Sequence, residues 1–405
     1  MPDFGSALYL GMRHPSALLG RWEALTLGRP AAAGEPPGAP ALAAALARLV
    51  GCPAGTLLHS TLHLFWDLLR MLSAERIVLL VDDHSYPIAR WCAGCAAANG
   101  TPLELFAHAS VGSVARMARR WAEDGRRPVI LADGYFPGAD TAPPLRAYAA
   151  IARSLNGLLV LDDTQALGLF GAAPSRGAPY GHGGGGSARR HGLAGAHVVI
   201  GASLAKGFGT PLAVLCASAA LVRRFERESE TRTHSSPPSV ASVRAGLHAL
   251  DLNDRHGEAL RRRLWCTVAH WRSGLARHAI DAHGGSFPVQ TLALAPGIDG
   301  EHLHACLRGE GVDTVLQRVR ERSTVSFLFT ADHTHAQIEL AVAVLAACLR
   351  KQRASAYGDF GAHGADSAHG AGQSLGAQGD HGAYGYHDDL RDQGAHVRQV
   401  GLEAL

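Results

Sequence analysis

Lys206 is isolated in an apolar stretch, the only charged residue in 198–214. It follows Ser203 by three positions and leads into Gly207-Phe208-Gly209. An ammonium held away from water is costly unless it is paired or neutralised. A Schiff base to a cofactor aldehyde is one arrangement that holds such a lysine productively, and desolvation lowers its pKa towards nucleophilic competence. A second segment, 158–165, is an apolar run ending in Asp162-Asp163-Thr164-Gln165 and followed by Gly168 and Gly171. A carboxylate at a strand end can pair with a protonated pyridine nitrogen and keep that ring an electron sink. Taken singly, Lys206 could snorkel and the two aspartates could cap a helix. The ordered pair of segments favours a cofactor site over both bland readings.

The rest of the chain must position these groups. Short β-branched or Leu-rich runs at 76–81, 103–106, 128–132, 157–161, 197–201 and 212–217 alternate with helix-period stretches at 61–73, 87–99, 111–123 and 144–155. That alternation predicts an α/β fold whose largely parallel sheet is sandwiched by helices. The last two runs are close enough in sequence to form an antiparallel pair. Beyond residue 253 the pattern predicts an amphipathic helix at 255–278, strands at 288–294 and 324–329, and a closing helix at 335–351, a smaller α+β domain. The division is therefore an N-terminal segment at 1–44 that packs with the small domain, a large domain at 45–253, the small domain at 254–352, and a tail at 353–405. The tail holds 11 of the 48 glycines and carries a net −4 against +7 for the body. With no proline and no apolar periodicity it is expected to be disordered.

Both segments resemble the fold-type I, pyridoxal 5'-phosphate (PLP)-dependent transferases (the aminotransferase class I/II superfamily). They are closest to the α-oxoamine synthase / 8-amino-7-oxononanoate synthase group. Asp162 to Gly168 is similar to that group's D-D-x-x-x-x-G, and Ser203 to Gly209 to its S-x-x-K-x-F-G. Leu8-Tyr9-Leu10-Gly11 resembles its D-Y-L-G-L, and Thr330-Ala331-Asp332-His333 its T-A-x-H, so the likeness runs over roughly residues 4–350.

The resemblance implies a role for each matching residue. Lys206 is the catalytic lysine, forming an aldimine with PLP and moving the proton of a Cα carbanion. Asp162 pairs with the pyridine nitrogen. Gln165 stands where a histidine usually bonds the phenolic oxygen; an amide can donate that bond but cannot titrate. Ser203 contacts the phosphate, as do the backbone N–H groups of Ser60-Thr61-Leu62 at a helix start, although Thr61 replaces a glycine there. Tyr86 occupies the position of a ring that stacks on the pyridine, with His84 as the competing candidate. Asp133-Gly134-Tyr135 matches a segment beside the cofactor. Ser236 matches a hydroxyl that reaches the neighbouring subunit's phosphate, which implies a homodimer with shared active sites.

The implied reaction is condensation of an amino acid or amine with an acyl thioester in biosynthesis. An aminotransferase acting on a carbonyl substrate is the alternative, and a non-catalytic PLP-fold partner or regulatory protein is the alternative from another class. Three departures bear on the substrate. A Pro-rich stretch at 29–40 replaces a Gly/Ser-rich one. Ser326 aligns with the carboxylate-binding arginine, so either Arg318, Arg320 or Arg322 substitutes or the substrate lacks that carboxylate. Asp162 and Lys206 are separated by a glycine-rich insertion at 181–186, expected to be a floppy loop.

The remaining features narrow the class. The chain has 405 residues, 38 basic against 35 acidic, and a net charge of +3, which does not argue for nucleic acid. The N-terminus lacks a secretory pattern, and no apolar run reaches the length that spans a membrane. Seven scattered cysteines suggest a reduced, cytoplasmic protein. Cys92 and Cys95 have C-x-x-C spacing inside an Ala-rich run, which fits a helix packing face better than a redox motif. His59 and His63 are spaced i, i+4, but no glutamate accompanies them as in H-E-x-x-H, so a metal is not expected.

Overall fold

The computed structural model describes residues 2–138, 142–319 and 322–362. Seven strands form the larger sheet: β1 (Ala54–Leu58), β2 (Ile77–Asp82), β3 (Leu103–Phe106), β4 (Arg127–Asp133), β5 (Leu158–Asp162), β6 (Val198–Ser203) and β7 (Ala213–Ala217). Their order is β1-β7-β6-β5-β4-β2-β3, parallel except for β7, which runs antiparallel to both neighbours. The expected β6–β7 antiparallel pair is thus present. Strand β1 was not anticipated, because Ala54-Gly55-Thr56 carries little β signal. Gly55 is needed there, since a Cβ would crowd the Ala43 carbonyl and Cys216.

Strands β2, β4 and β5 are buried almost throughout, as expected of a parallel sheet covered on both faces. Alternate residues serve opposite layers. Leu79, Val81, Val129, Leu131 and Val160 face the layer of α2 (Thr61–Ser73), α3 (Pro87–Ala98) and α7 (Ala219–Glu228). Val78, Leu80, Ile130, Leu159 and Leu161 face that of α1 (Ala39–Val50), α4 (Val111–Glu123) and α5 (Leu145–Ser154). The C-x-x-C pair lies in the middle of α3, with Cys92 buried and Cys95 exposed, consistent with a packing face.

Two short helices, α6 (Gly186–His191) and α8 (Glu230–His234), precede α9 (Val240–Arg277). Ser239 caps α9 by accepting from the Ser242 N–H. Helix α9 begins 15 residues before the expected start. Gly246 is a contact point within it: a Cβ there would press on Leu42 of α1. The smaller sheet, in the order β10-β11-β9-β8, comprises β8 (Ala282–His283), β9 (Val289–Leu292), β10 (Val315–Val319) and β11 (Arg322–Leu328), all antiparallel. Helices α10 (Gly300–Gly309) and α11 (His335–Ala362) and the end of α9 pack with it.

The start of the chain belongs with this smaller layer. Phe4 stacks on His333 (4.4 Å between centroids) and meets Phe327, Phe329 and Trp271. By contrast α1, partly inside the segment expected to go with the small domain, packs on β1, β7 and α6. The tail expectation is corrected at its start, because α11 continues through residue 362; residues 363–405 and their histidines lie outside the described residues.

The expectation of seven reduced thiols is also corrected. Cys306 of α10 and Cys348 of α11 form a disulfide, and the other five cysteines are free. These two cysteines are 42 residues apart and meet only because the two helices pack. Among the described residues no helix is long and apolar enough to cross a membrane.

Candidate active site

Parallel strands deliver their C-terminal ends to one edge of the sheet, and β2, β4 and β5 each end on an aspartate: Asp82, Asp133 and Asp162. The register places Asp133 opposite Asp162. Lys206 follows β6, the next strand along. Asp162 is 5% exposed and Asp133 8%. Burial raises the pKa of Asp162 above the usual carboxylate range, opposed by hydrogen bonds from Thr164, whose N–H donates to Asp162 Oδ1 at 3.0 Å. Asp133 is pushed well above that range by burial and then by the Asp162 charge. Burial lowers the pKa of Lys206, and Asp162 and Asp133 act in the opposite direction. Among the described residues neither carboxylate forms a direct ion pair with Lys206. The three groups influence one another without a direct ion pair.

Tyr86 lies beside Lys206. Lys206 Nζ is 5.9 Å from its ring centroid, and its N–H donates to Asp133 Oδ1 at 3.1 Å. His84 is engaged elsewhere, stacked on His108 (4.6 Å) and tilted against Phe136 (5.0 Å). Of the two candidate rings, the one beside Lys206 is Tyr86. Ser203 ends β6; its N–H donates to Thr164 Oγ1, and its Oγ accepts from the Ala205 N–H. Gln165 accepts a 2.7 Å hydrogen bond from the buried Tyr9 hydroxyl.

Ser60, Thr61 and Leu62 open α2 at the same sheet edge, because Leu58 and Ser203 both pair with Ala213 of β7. Ser60 caps the helix, accepting weakly from the His63 N–H (3.5 Å) and bonding the His63 ring at 2.8 Å. Ser236 is exposed and lines a depression with Leu58, His59 and His63 of its own chain. Three contributors were missed or underweighted at the level of sequence: Asp133, Thr164 and Tyr9. A usable signal for the first was that 77–82, 127–133 and 158–162 are all apolar runs ending in Asp.

The glycine-rich insertion is not floppy, which corrects that expectation. Gly183 N–H donates to Glu258 Oε1 (2.8 Å), Asn253 holds the Gly183 carbonyl (3.0 Å), and Gly186 N–H donates to the Phe170 carbonyl (2.7 Å). Its purpose is local. Ser187 N–H donates to Asp163 Oδ2 (2.9 Å) and Ser187 Oγ to the Gly134 carbonyl (2.9 Å), fixing the residue next to Asp162. A Cβ on Gly186, whose φ is +78°, would run into Asp163. The loop is thus a cradle for a carboxylate of its own chain.

Burial pushes Asp163 up to about 6 from 3.8, against the Ser187 bonds. A carboxyl raised on folding binds more protons in the folded state, so stability falls as pH rises from about 4 to about 6. The expected span is about 3 kcal/mol, present in the wild type and missing in Asp163→Asn. Denaturant unfolding of both proteins across that window measures it, and identical pH profiles would contradict it.

No family model matches the chain. Curated relatives do: the 8-amino-7-oxononanoate synthase of Alkalilimnicola ehrlichii is 28% identical over 253 residues, 61% of this chain and 61% of that one. The match thus spans about three fifths of the relative's length. A solved serine palmitoyltransferase with a PLP internal aldimine superposes with a TM-score of 0.74 at 16% identity, over 86% of this chain and 87% of that one. The 8-amino-7-oxononanoate synthase of Francisella tularensis superposes at 0.66 with 14% identity, over 87% and 98%. The chain has the fold-type I fold.

The residue that aligns with the expected arginine lies inside the smaller sheet. Ser326 is fully buried at the centre of β11 and bonds Thr291 at 2.8 Å. Arg318 is exposed and paired with Glu301 at 2.6 Å. Residue 320 and the Arg322 side chain lie outside the described residues.

Proposed function

We propose that the protein is a PLP-dependent transferase of α-oxoamine synthase type, joining an amino acid or amine to an acyl thioester. The observation that carries this reading is the mutual charge influence of Lys206 and the buried Asp162 and Asp133 at one sheet edge, with Tyr86 beside Lys206. PLP supplies an electron sink for the pair left at the substrate Cα. Lys206 is the amine that anchors the cofactor and, once released, takes and returns the Cα proton; burial lowers its pKa, which favours that exchange. Asp162 holds the pyridine nitrogen protonated, and Thr164 orients its oxygen. Tyr86 covers one face of the ring, and Gln165 donates to the phenolic oxygen. Ser203 and the N–H groups at Ser60, Thr61 and Leu62 receive the phosphate.

Exposed Leu62, Trp66, Tyr86 and Trp91 form an apolar face on α2 and α3 next to the site. A second copy covering it would complete a homodimer and bring Ser236 to the partner's phosphate. We place the enzyme in the cytoplasm, with the five free cysteines fitting a reducing compartment and the Cys306–Cys348 disulfide opposing it.

The test is incubation of the PLP-loaded protein with amino acids, with and without acyl thioester. Thiol release that needs both substrates is the expected result. Conversion of the cofactor to its pyridoxamine form by amino acids alone would replace this reading with aminotransfer. Failure to take up PLP would replace it with the non-catalytic one.

A further inference from the structure

A terminal amide has one end that only accepts hydrogen bonds and one that only donates, and its last torsion is broadly two-fold. The phenolic oxygen of PLP, when ionised, only accepts. Gln165 therefore serves that oxygen in one of its two orientations and repels it in the other. We infer that Tyr9 is a positioning residue that locks Gln165 in the serviceable orientation, holding its carbonyl so that the N–H2 end is left for the cofactor. This inference rests on the proposed placement of Gln165 at the phenolic oxygen.

The geometry supports a lock. Tyr9 Oη donates to Gln165 Oε1 at 2.7 Å, and among the described residues it supplies the hydrogen bond made to that side chain. Tyr9 is 1% exposed, its ring set edge-on to Phe287 (5.6 Å, 76°). Its carbonyl accepts from the Ala331 N–H at 2.8 Å, and Gly11, at φ +66°, turns the chain where a Cβ would strike Asp332. Burial, with Tyr135 adding to it, keeps the Tyr9 phenol protonated far beyond neutral pH, and among the described residues Gln165 Oε1 is the acceptor of that proton, so a reversed amide would leave it unpaired in a buried site. Among the described residues, Asp133, Asp162, Lys206 and Tyr86 make no hydrogen bond to the amide. A histidine needs no such lock, because each imidazole nitrogen can take either role. A glutamine does.

The test is a pH titration of the visible absorbance of PLP-loaded protein. A donor to the phenolic oxygen stabilises the deprotonated form of the bound cofactor, so losing the donor raises the midpoint. Tyr9→Phe, which keeps the ring against Phe287, is expected to raise it by about half to one pH unit. Gln165→Leu should raise it at least as far, and the double variant should match Gln165→Leu alone. Equal shifts from Tyr9→Phe in both backgrounds, or no shift in either while Gln165→Leu moves the midpoint, would overturn the lock. An unmoved midpoint in Gln165→Leu would overturn the placement of Gln165 itself, a distinct failure. Thermal unfolding separates these outcomes from loss of fold.

Discussion

Lys206→Ala is expected to abolish the covalent link to PLP and slow turnover by about a thousandfold or more. The size follows from two losses at one atom. The amine that holds the cofactor and the base that handles the Cα proton are the same Nζ, and the described residues place no second lysine at the sheet edge. Borohydride treatment of the wild type with PLP should fix the cofactor to the peptide containing residue 206, seen by mass spectrometry. Label on another lysine, or wild-type turnover in the variant, would remove Lys206 from its role. The fold should tolerate the change, because the wild type holds this ammonium half-buried and without a direct ion pair.

Asp162→Asn carries the second large effect. A carboxylate facing a protonated ring nitrogen makes a charge-assisted bond worth about 1.5–3 kcal/mol, so its loss should slow turnover roughly 10- to 150-fold. Stability should move the other way. Asp162 sits above the usual carboxylate range because it is buried. Near neutral pH the folded state therefore carries the cost of ionising it, and asparagine removes that cost. A slow enzyme with an unchanged or higher melting temperature is the expected pairing. A variant that is slow only because it melts early would refute the role assigned to the charge.

Much of the site was legible because parallel sheets announce themselves: each strand is a continuous apolar run, and chemistry collects where the run stops. Lys206 and Asp162 stood out because a charge ending such a run has no ordinary reason to be there. The same sign was present at Asp133, but its weight comes from lying opposite Asp162, a register no sequence displays. Tyr9 was hidden for a related reason, being 156 residues from Gln165 in the chain. Glycines misled at 183–186, where they looked like slack and form a cradle. Composition reports how freely a backbone can move, and packing decides whether it does. The Cys306–Cys348 bond was invisible for the same reason, since only the docking of α10 on α11 brings the sulfurs together.

Helix α9 has a last consequence. At 1.5 Å per residue its 38 residues extend about 57 Å, with Val243 and Ala249 buried near one end and Trp271 and Leu275 near the other. The change in sequence character at residue 253 falls inside this rod. A cut there would leave each piece with half a helix whose apolar stripe has lost its cover. Truncation libraries, split reporters and separately expressed halves should therefore fail at that junction, and fusion partners belong at the chain ends. The two layers are two ends of a single beam, and the protein is not modular where its composition suggests it should be.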